Sequence, residues 1–109
     1  MSSNVIVIND SQFETEVQQS EKLVLVYFWA AWCGPCKLMS PSVEKVATDY
    51  LDSLKAVKME VDPNPITVKQ YQVEGVPALR LFRNQKLLLS LEGAITKQQL
   101  IEKLEPYLK

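Results

Sequence analysis

The stretch Leu23-Val24-Leu25-Val26-Tyr27-Phe28-Trp29, running through Ala30-Ala31 into Trp32-Cys33-Gly34-Pro35-Cys36-Lys37, decides how this chain is read. An unbroken apolar run of this kind is expected of a central strand whose sheet is covered on both faces. Glycine and proline follow directly, and Met39, Val43, Val46 and Tyr50 then recur at helical spacing. The passage therefore reads as strand, turn and a helix from about Gly34 to Leu51, with Pro41 inside it as a kink. The chain's 2 cysteines sit at that turn, at i and i+3, where they can close a disulfide with each other.

Working outward, Val5-Ile6-Val7-Ile8 reads as a short buried strand. Ser11 and Glu14 fit a capping box for a helix reaching about Gln19. Leu54 to Val61 alternates as a further strand, Asp62-Pro63-Asn64-Pro65 is a turn, and Ile66 to Tyr71 a short helix. Ala78 to Phe82 and Leu87 to Leu91 form a hairpin around Arg83-Asn84-Gln85-Lys86. Thr96 and Gln99 open a last amphipathic helix carrying Leu100, Leu104 and Leu108. The order β-α-β-α-β-α-β-β-α is that of an α/β mixed sheet with helices on both faces.

Composition bounds the function. The 109 residues form one domain, 1–109, with 47% apolar residues for a core. A net charge of −1 offers no phosphate-binding footprint, so nucleic acid is not expected. No run approaches the roughly 18 apolar residues of a membrane span. Met1-Ser2-Ser3-Asn4 has no basic residue, and Val5 to Ile8 is too short for a secretion signal, so a cytoplasmic protein is expected. With 0 histidines, Ser-His-Asp and Cys-His catalysis are excluded. A four-ligand zinc site would need a second copy, so neither metal nor cofactor is expected.

The cysteine pair carries the chemistry. Cys33, where strand gives way to helix, meets unpaired N–H groups and the positive end of the helix dipole, which favour a thiolate. Lys37 is cationic but solvated. Cys36, one turn in, is expected to be less exposed. Cys33 would attack a substrate disulfide, and Cys36 would then attack the Cys33 sulfur to release reduced substrate. A buried structural thiol pair is the alternative, against which stand Gly-Pro between the cysteines and the tryptophan before them.

The chain resembles thioredoxin over essentially its whole length, in Phe28-Trp29-Ala30, Trp32 to Lys37, Asp62-Pro63-Asn64-Pro65, Gly75-Val76-Pro77 and Gly93-Ala94. The resemblance implies a thioredoxin fold, a mixed five-stranded sheet flanked by four helices, with the last two strands antiparallel to the others. It also implies a cis Pro77 against the disulfide, with the Val76 backbone offered to a substrate strand. On pattern alone Pro77 would only start a strand. Trp32, Gly34, Pro35, Val76, Pro77, Gly93 and Ala94 would then form the docking rim, with Trp29 in the core and Trp32 exposed. The implied activity is protein-disulfide reduction. Its partners would be disulfide-containing client proteins and a thioredoxin reductase, with no membrane partner and a monomeric state.

Three positions depart from the family pattern. Tyr27 stands where most thioredoxins carry a buried aspartate near a lysine matched by Lys58, a feature that resembles the atypical thioredoxin-2 branch. Cys36 would then lose its proton to water or through Lys58. Gln85 replaces a hairpin glycine, which suggests a different turn type, and Glu92 puts a carboxylate beside Gly93. Two further readings stay open: an oxidase or isomerase, which Gly-Pro between the cysteines disfavours, and a binding subunit without redox turnover.

Overall fold

Residues 3–108 are described in a computed structural model; Met1, Ser2 and Lys109, the ends of the expected 1–109 domain, lie outside them. The apolar run Leu23–Trp29 is strand β2, the middle of a five-stranded sheet ordered β1-β3-β2-β4-β5. The other strands are β1 (Val5–Val7), β3 (Leu54–Glu60), β4 (Ala78–Arg83) and β5 (Lys86–Glu92). Alternation explains the unbroken run. Leu23, Leu25 and Tyr27 face helices α1 (Gly34–Asp49) and α3 (Lys97–Leu104). Val24, Val26 and Phe28 face the opening turns and α2 (Pro65–Gln70). Both faces are buried, so both sets of positions are apolar save for the Tyr27 hydroxyl, which is hydrogen-bonded, and each buried Val, Leu or Phe contributes about 1.5–3 kcal/mol.

β1 and β2 both run parallel to β3, β4 runs antiparallel to β2, and β5 runs antiparallel to β4. Only β4 therefore opposes the first three strands; β5 returns to their direction, which corrects the expected orientation of the last strand. A tight hairpin reverses the chain once, and so β5 cannot share the direction of β4.

Several boundaries differ from the sequence reading. β1 is an edge strand, and Ile6 and Val7 are exposed on it rather than buried, because β3 alone pairs with it. The expected helix from Ser11 to Gln19 is a 3-10 turn, Asp10–Gln12, followed by a π-helical turn, Glu14–Gln18. Its start is closed by Gln12, whose side-chain oxygen accepts the Asn9 N–H at 3.0 Å, two residues before the Ser11–Glu14 pair. Helix α1 stops at Asp49, two residues short of Leu51, and passes through Pro41 without ending. Leu108 lies beyond α3, which gives way to a 3-10 turn at Glu105–Tyr107, where Pro106 supplies no ladder N–H. The Thr96–Gln99 capping box is present as read.

The β4–β5 turn corrects another expectation. Asn84 and Gln85 have φ of +51° and +72°, the two positive values that a two-residue type I′ hairpin requires. The turn type is thus the one a glycine would favour, and Gln85 adopts a left-handed backbone within it.

Candidate active site

The site is assembled where β2 ends. A turn follows Trp29, closed by the Cys33 N–H on the Ala30 carbonyl at 3.1 Å, and α1 begins at Gly34. Cys33 is the N-cap of α1, with the extended backbone such a residue needs, and its Sγ accepts the Cys36 N–H at 3.1 Å. Pro35 falls in the first turn, where its missing N–H costs no ladder bond. Cys33 and Cys36 are joined by a disulfide. Cys36 is marginally the more enclosed, at 2% exposure against 4% for Cys33.

Around the sulfurs the elements converge. Ala30, Cys33 and Cys36 pack with Trp29, Val61 and Val76. The Val76–Pro77 peptide is cis, and the Val76 carbonyl oxygen lies 3.6 Å from Cys33 Sγ. Gly93, with φ +90° just past β5, donates its N–H to the Pro77 carbonyl at 2.8 Å, which brings the Gly93–Ala94 segment beside Pro77. Trp32, Gly34, Pro35, Gly93 and Ala94 are exposed, Val76 is half-buried and Pro77 is buried. The Trp32 indole N–H donates to Asp62 at 2.9 Å, which orients a ring that is otherwise 68% exposed. Beside it opens a hollow of about 300 Å³ lined by Trp32, Val61, Val68, Val73 and Val76 among others.

Behind the disulfide, Tyr27 is buried and its hydroxyl donates to the Cys36 carbonyl at 3.0 Å, with Ser40 Oγ at 2.9 Å. Ser40 Oγ also donates to that carbonyl, at 2.8 Å. Burial pushes the Tyr27 phenol above its ordinary value, a rise only partly offset by the Ser40 hydrogen bond. The phenol is therefore neutral near pH 7 and serves as an anchor for the first turn of α1. Lys58 pairs in register with Tyr27 across β2–β3, and its ammonium stands 5.9 Å from the Trp29 ring centroid. A hollow of about 400 Å³ lies next to Cys36, Ser40 and Trp29, with Glu44 at its border. The Glu44 carboxylate accepts a hydrogen bond from Ser3 at 2.6 Å.

Two charged side chains make long-range contacts that the sequence reading, which took Asn9-Asp10-Ser11 only as local caps, did not assign. Asp10 accepts the Ile66 and Thr67 N–H groups at 3.0 and 2.9 Å, capping α2 from a distant turn. Arg80, in the middle of β4, is buried and pairs with Glu92 at 3.0 Å. A cation flanked by Leu79 and Leu81, well inside a strand that ends at Arg83, was the available signal for it.

A disulfide at a helix N-terminus, on the turn after the central strand of this sheet, defines a thiol–disulfide oxidoreductase of the thioredoxin fold. The comparisons with known proteins agree. The thioredoxin family model matches residues 4–106. A thioredoxin-like protein of Synechocystis sp. is 56% identical over 102 residues, covering 94% of each chain. Thioredoxin of Acidithiobacillus ferridurans is 46% identical over 100 residues, covering 92% of this chain and 93% of its own. Thioredoxin of Buchnera aphidicola subsp. Baizongia pistaciae is 40% identical over the full 109 residues of both. The chain belongs to the thioredoxin family, whose members are disulfide oxidoreductases, and it carries the cysteine pair that the chemistry needs. No helix among the described residues is long and apolar enough to cross a membrane.

Proposed function

We propose that the protein is a general reductant of protein disulfides, with Cys33 as nucleophile and Cys36 as resolving thiol. The observation that carries the reading is the seat of Cys33 at the N-cap of α1, its Sγ receiving the Cys36 N–H at 3.1 Å. A Cys33 thiolate keeps that hydrogen bond and gains from the helix dipole, so its pKa falls from about 8.5 toward neutrality.

The exchange then balances as follows. The Cys33 thiolate attacks one sulfur of a client disulfide; that bond breaks, and the departing client thiolate takes a proton. Cys36 gives up its proton and attacks Cys33 Sγ, which closes the Cys33–Cys36 disulfide and expels the second client thiolate. Two electrons pass to the client, whose two thiolates take protons from solvent, and a thioredoxin reductase restores the electrons. No cofactor beyond the disulfide is required. The Cys36 proton leaves through water in the hollow beside Ser40, with Lys58 acting at most through that water from its place over Trp29. Trp32, Gly34, Pro35, Val76, Pro77, Gly93 and Ala94 form the rim on which the client docks. The protein works as a monomer, and the dithiol form suits the reducing cytoplasm.

Insulin reduction driven by dithiothreitol tests the reading. Wild type accelerates it, Cys33→Ser abolishes the acceleration, and Cys36→Ser accumulates mixed disulfides with client proteins. Cysteines that resist alkylation at pH 7 until the protein is denatured would overturn the proposal. A measured potential above about −200 mV would reassign the protein to oxidation or isomerisation. Partners retained after loss of both cysteines would make it a binding module.

A further inference from the structure

Among the described residues, Arg80 is the one charged side chain that is buried, at 4% exposure. Burying a guanidinium is costly unless it is fully paired, so its partners reveal what the position does. Nε donates to the Tyr71 carbonyl at 3.3 Å, and Nη2 to the carbonyls of Tyr71 and Gln72 at 3.1 and 3.3 Å. Nη1 donates to the Leu79 and Leu91 carbonyls at 3.0 and 3.5 Å and to the Glu92 carboxylate at 3.0 Å.

Apart from Leu79, these acceptors lie at the roots of two of the segments of the docking rim. Tyr71 and Gln72 start the segment that ends in Gly75-Val76-Pro77, while Leu91 and Glu92 end β5 immediately before Gly93-Ala94. Gln72 has φ +53°, a left-handed backbone that favours glycine, and its carbonyl accepts from the guanidinium. Tyr71 also ends α2, a six-residue helix too short to persist alone, and a cation there offsets the exposed carbonyl dipoles. The Tyr71 ring is held separately, packed on Phe13 and Phe82 with centroids 5.3 and 5.1 Å away. The fold thus has its own anchor at Tyr71, and the guanidinium fork governs where the carbonyls, and the loop after them, are placed.

We propose that Arg80 is a positioning residue for client recognition. By holding Tyr71–Gln72 and Leu91–Glu92 on one rigid fork, it sets the gap between Gly75–Pro77 and Gly93–Ala94 in which a client's peptide backbone docks. The inference rests on the reductase reading above. It makes client proteins, whose strands must fit that gap, sensitive to Arg80, and small disulfides, which meet only the sulfurs, insensitive.

The test compares wild type, R80K and E92Q on insulin and on dithiobis(nitrobenzoate), a disulfide with no peptide backbone. Lysine keeps the charge but cannot span both segments. R80K is expected to raise KM for insulin about tenfold, with kcat within about twofold of wild type. Its rate on dithiobis(nitrobenzoate) stays at the wild-type value. E92Q, at a half-exposed position that keeps the fold, raises KM for insulin about twofold to threefold. In E92Q the amide NMR signals of Gly75, Val76, Gly93 and Ala94 shift together. An unchanged KM for insulin in R80K, or equal losses on both disulfides, overturns the inference while leaving the reductase reading intact. Unmoved rim amides in E92Q overturn it even if R80K does not fold. A wild type inactive on both disulfides overturns the reductase reading and this inference with it.

Discussion

Tyr27→Phe separates an anchoring role for this residue from a proton-transfer role. The substitution keeps the ring in a site that is 1% exposed, so no cavity opens, and it deletes one hydroxyl. That hydroxyl bonds the Cys36 carbonyl at 3.0 Å and Ser40 at 2.9 Å, and the carbonyl retains Ser40 as a donor at 2.8 Å. Nothing buried is orphaned, and the loss is the net worth of one hydrogen bond, about 1 kcal/mol. In a domain of this size that lowers Tm by about 4–8 °C, measurable by circular dichroism. The difference depends on pH. Burial raises the folded-state phenol above the unfolded value near 10, so above that pH the unfolded chain ionises while the folded protein holds its proton. The Tyr27 contribution is therefore complete below about pH 10 and declines as pH rises through the folded value, so the gap between wild type and Tyr27→Phe narrows in alkali. Tyr71 shifts in the same direction but is present in both proteins, so it cancels. Mixed-disulfide decay, followed with a trapped client peptide, should keep its rate within about twofold, because a phenol neutral at pH 7 is not the base for Cys36. Decay slowed more than about tenfold with Tm unchanged would refute this reasoning.

Gln85→Gly should raise Tm by about 4–8 °C, since a non-glycine residue at φ +72° costs about 1 kcal/mol; an unchanged or lower Tm would contradict the turn assignment. Asp10→Asn should cost about 0.5–1 kcal/mol at pH 7, discounted for solvent screening at a partly buried site. Burial alone would raise the Asp10 pKa, but hydrogen bonds from Thr67 and Ile66 outweigh it and hold the carboxyl below its usual range. Its contribution is thus present above about pH 4 and lost as pH falls through the folded value, so acid titrations of wild type and Asp10→Asn should converge. Tyr27→Asp should lower Tm, by removing the anchor and burying a carboxyl, and should alter the pH profile of mixed-disulfide resolution; a higher Tm or an unmoved profile counts against it.

The parts of the fold that were legible in the sequence are those in which one local rule acts without competition. The β2 run is apolar on both faces and its bounds, Leu23–Trp29, are as read. Thr96 and Gln99 satisfy each other across one turn, and the expected capping box is present. The misreadings occur where a tertiary partner decides. Val5 to Ile8 has the β-branched composition of a buried strand, yet edge placement is a property of sheet order and leaves Ile6 and Val7 in solvent. Ser11–Glu14 is as good a capping box on paper as Thr96–Gln99. Gln12 instead closes on Asn9, while Asp10 is drawn away to the α2 terminus 56 residues along the chain.

The same distinction explains what was visible of the site. The sulfur chemistry is local, a strand end and a helix start within one turn, so residues 29–37 state it outright. What presents that chemistry to a client is non-local. The Tyr71–Pro77 and Leu91–Ala94 segments are brought together by Gly93 on Pro77 at 2.8 Å and by Arg80 on both stems. No spacing rule links Arg80 to Tyr71 and Leu91, 9 and 11 residues away in opposite directions. The one trace such a linkage leaves in sequence is an energetic anomaly, a charge in a strand whose neighbours are all apolar. A buried cation cannot persist there without a full set of acceptors. An anomaly of that kind therefore marks a place where the fold has committed backbone carbonyls from several elements to one side chain. In this protein those elements carry two segments of the proposed docking rim, so altering Arg80 should change which disulfides the protein reaches before it changes how fast Cys33 reacts.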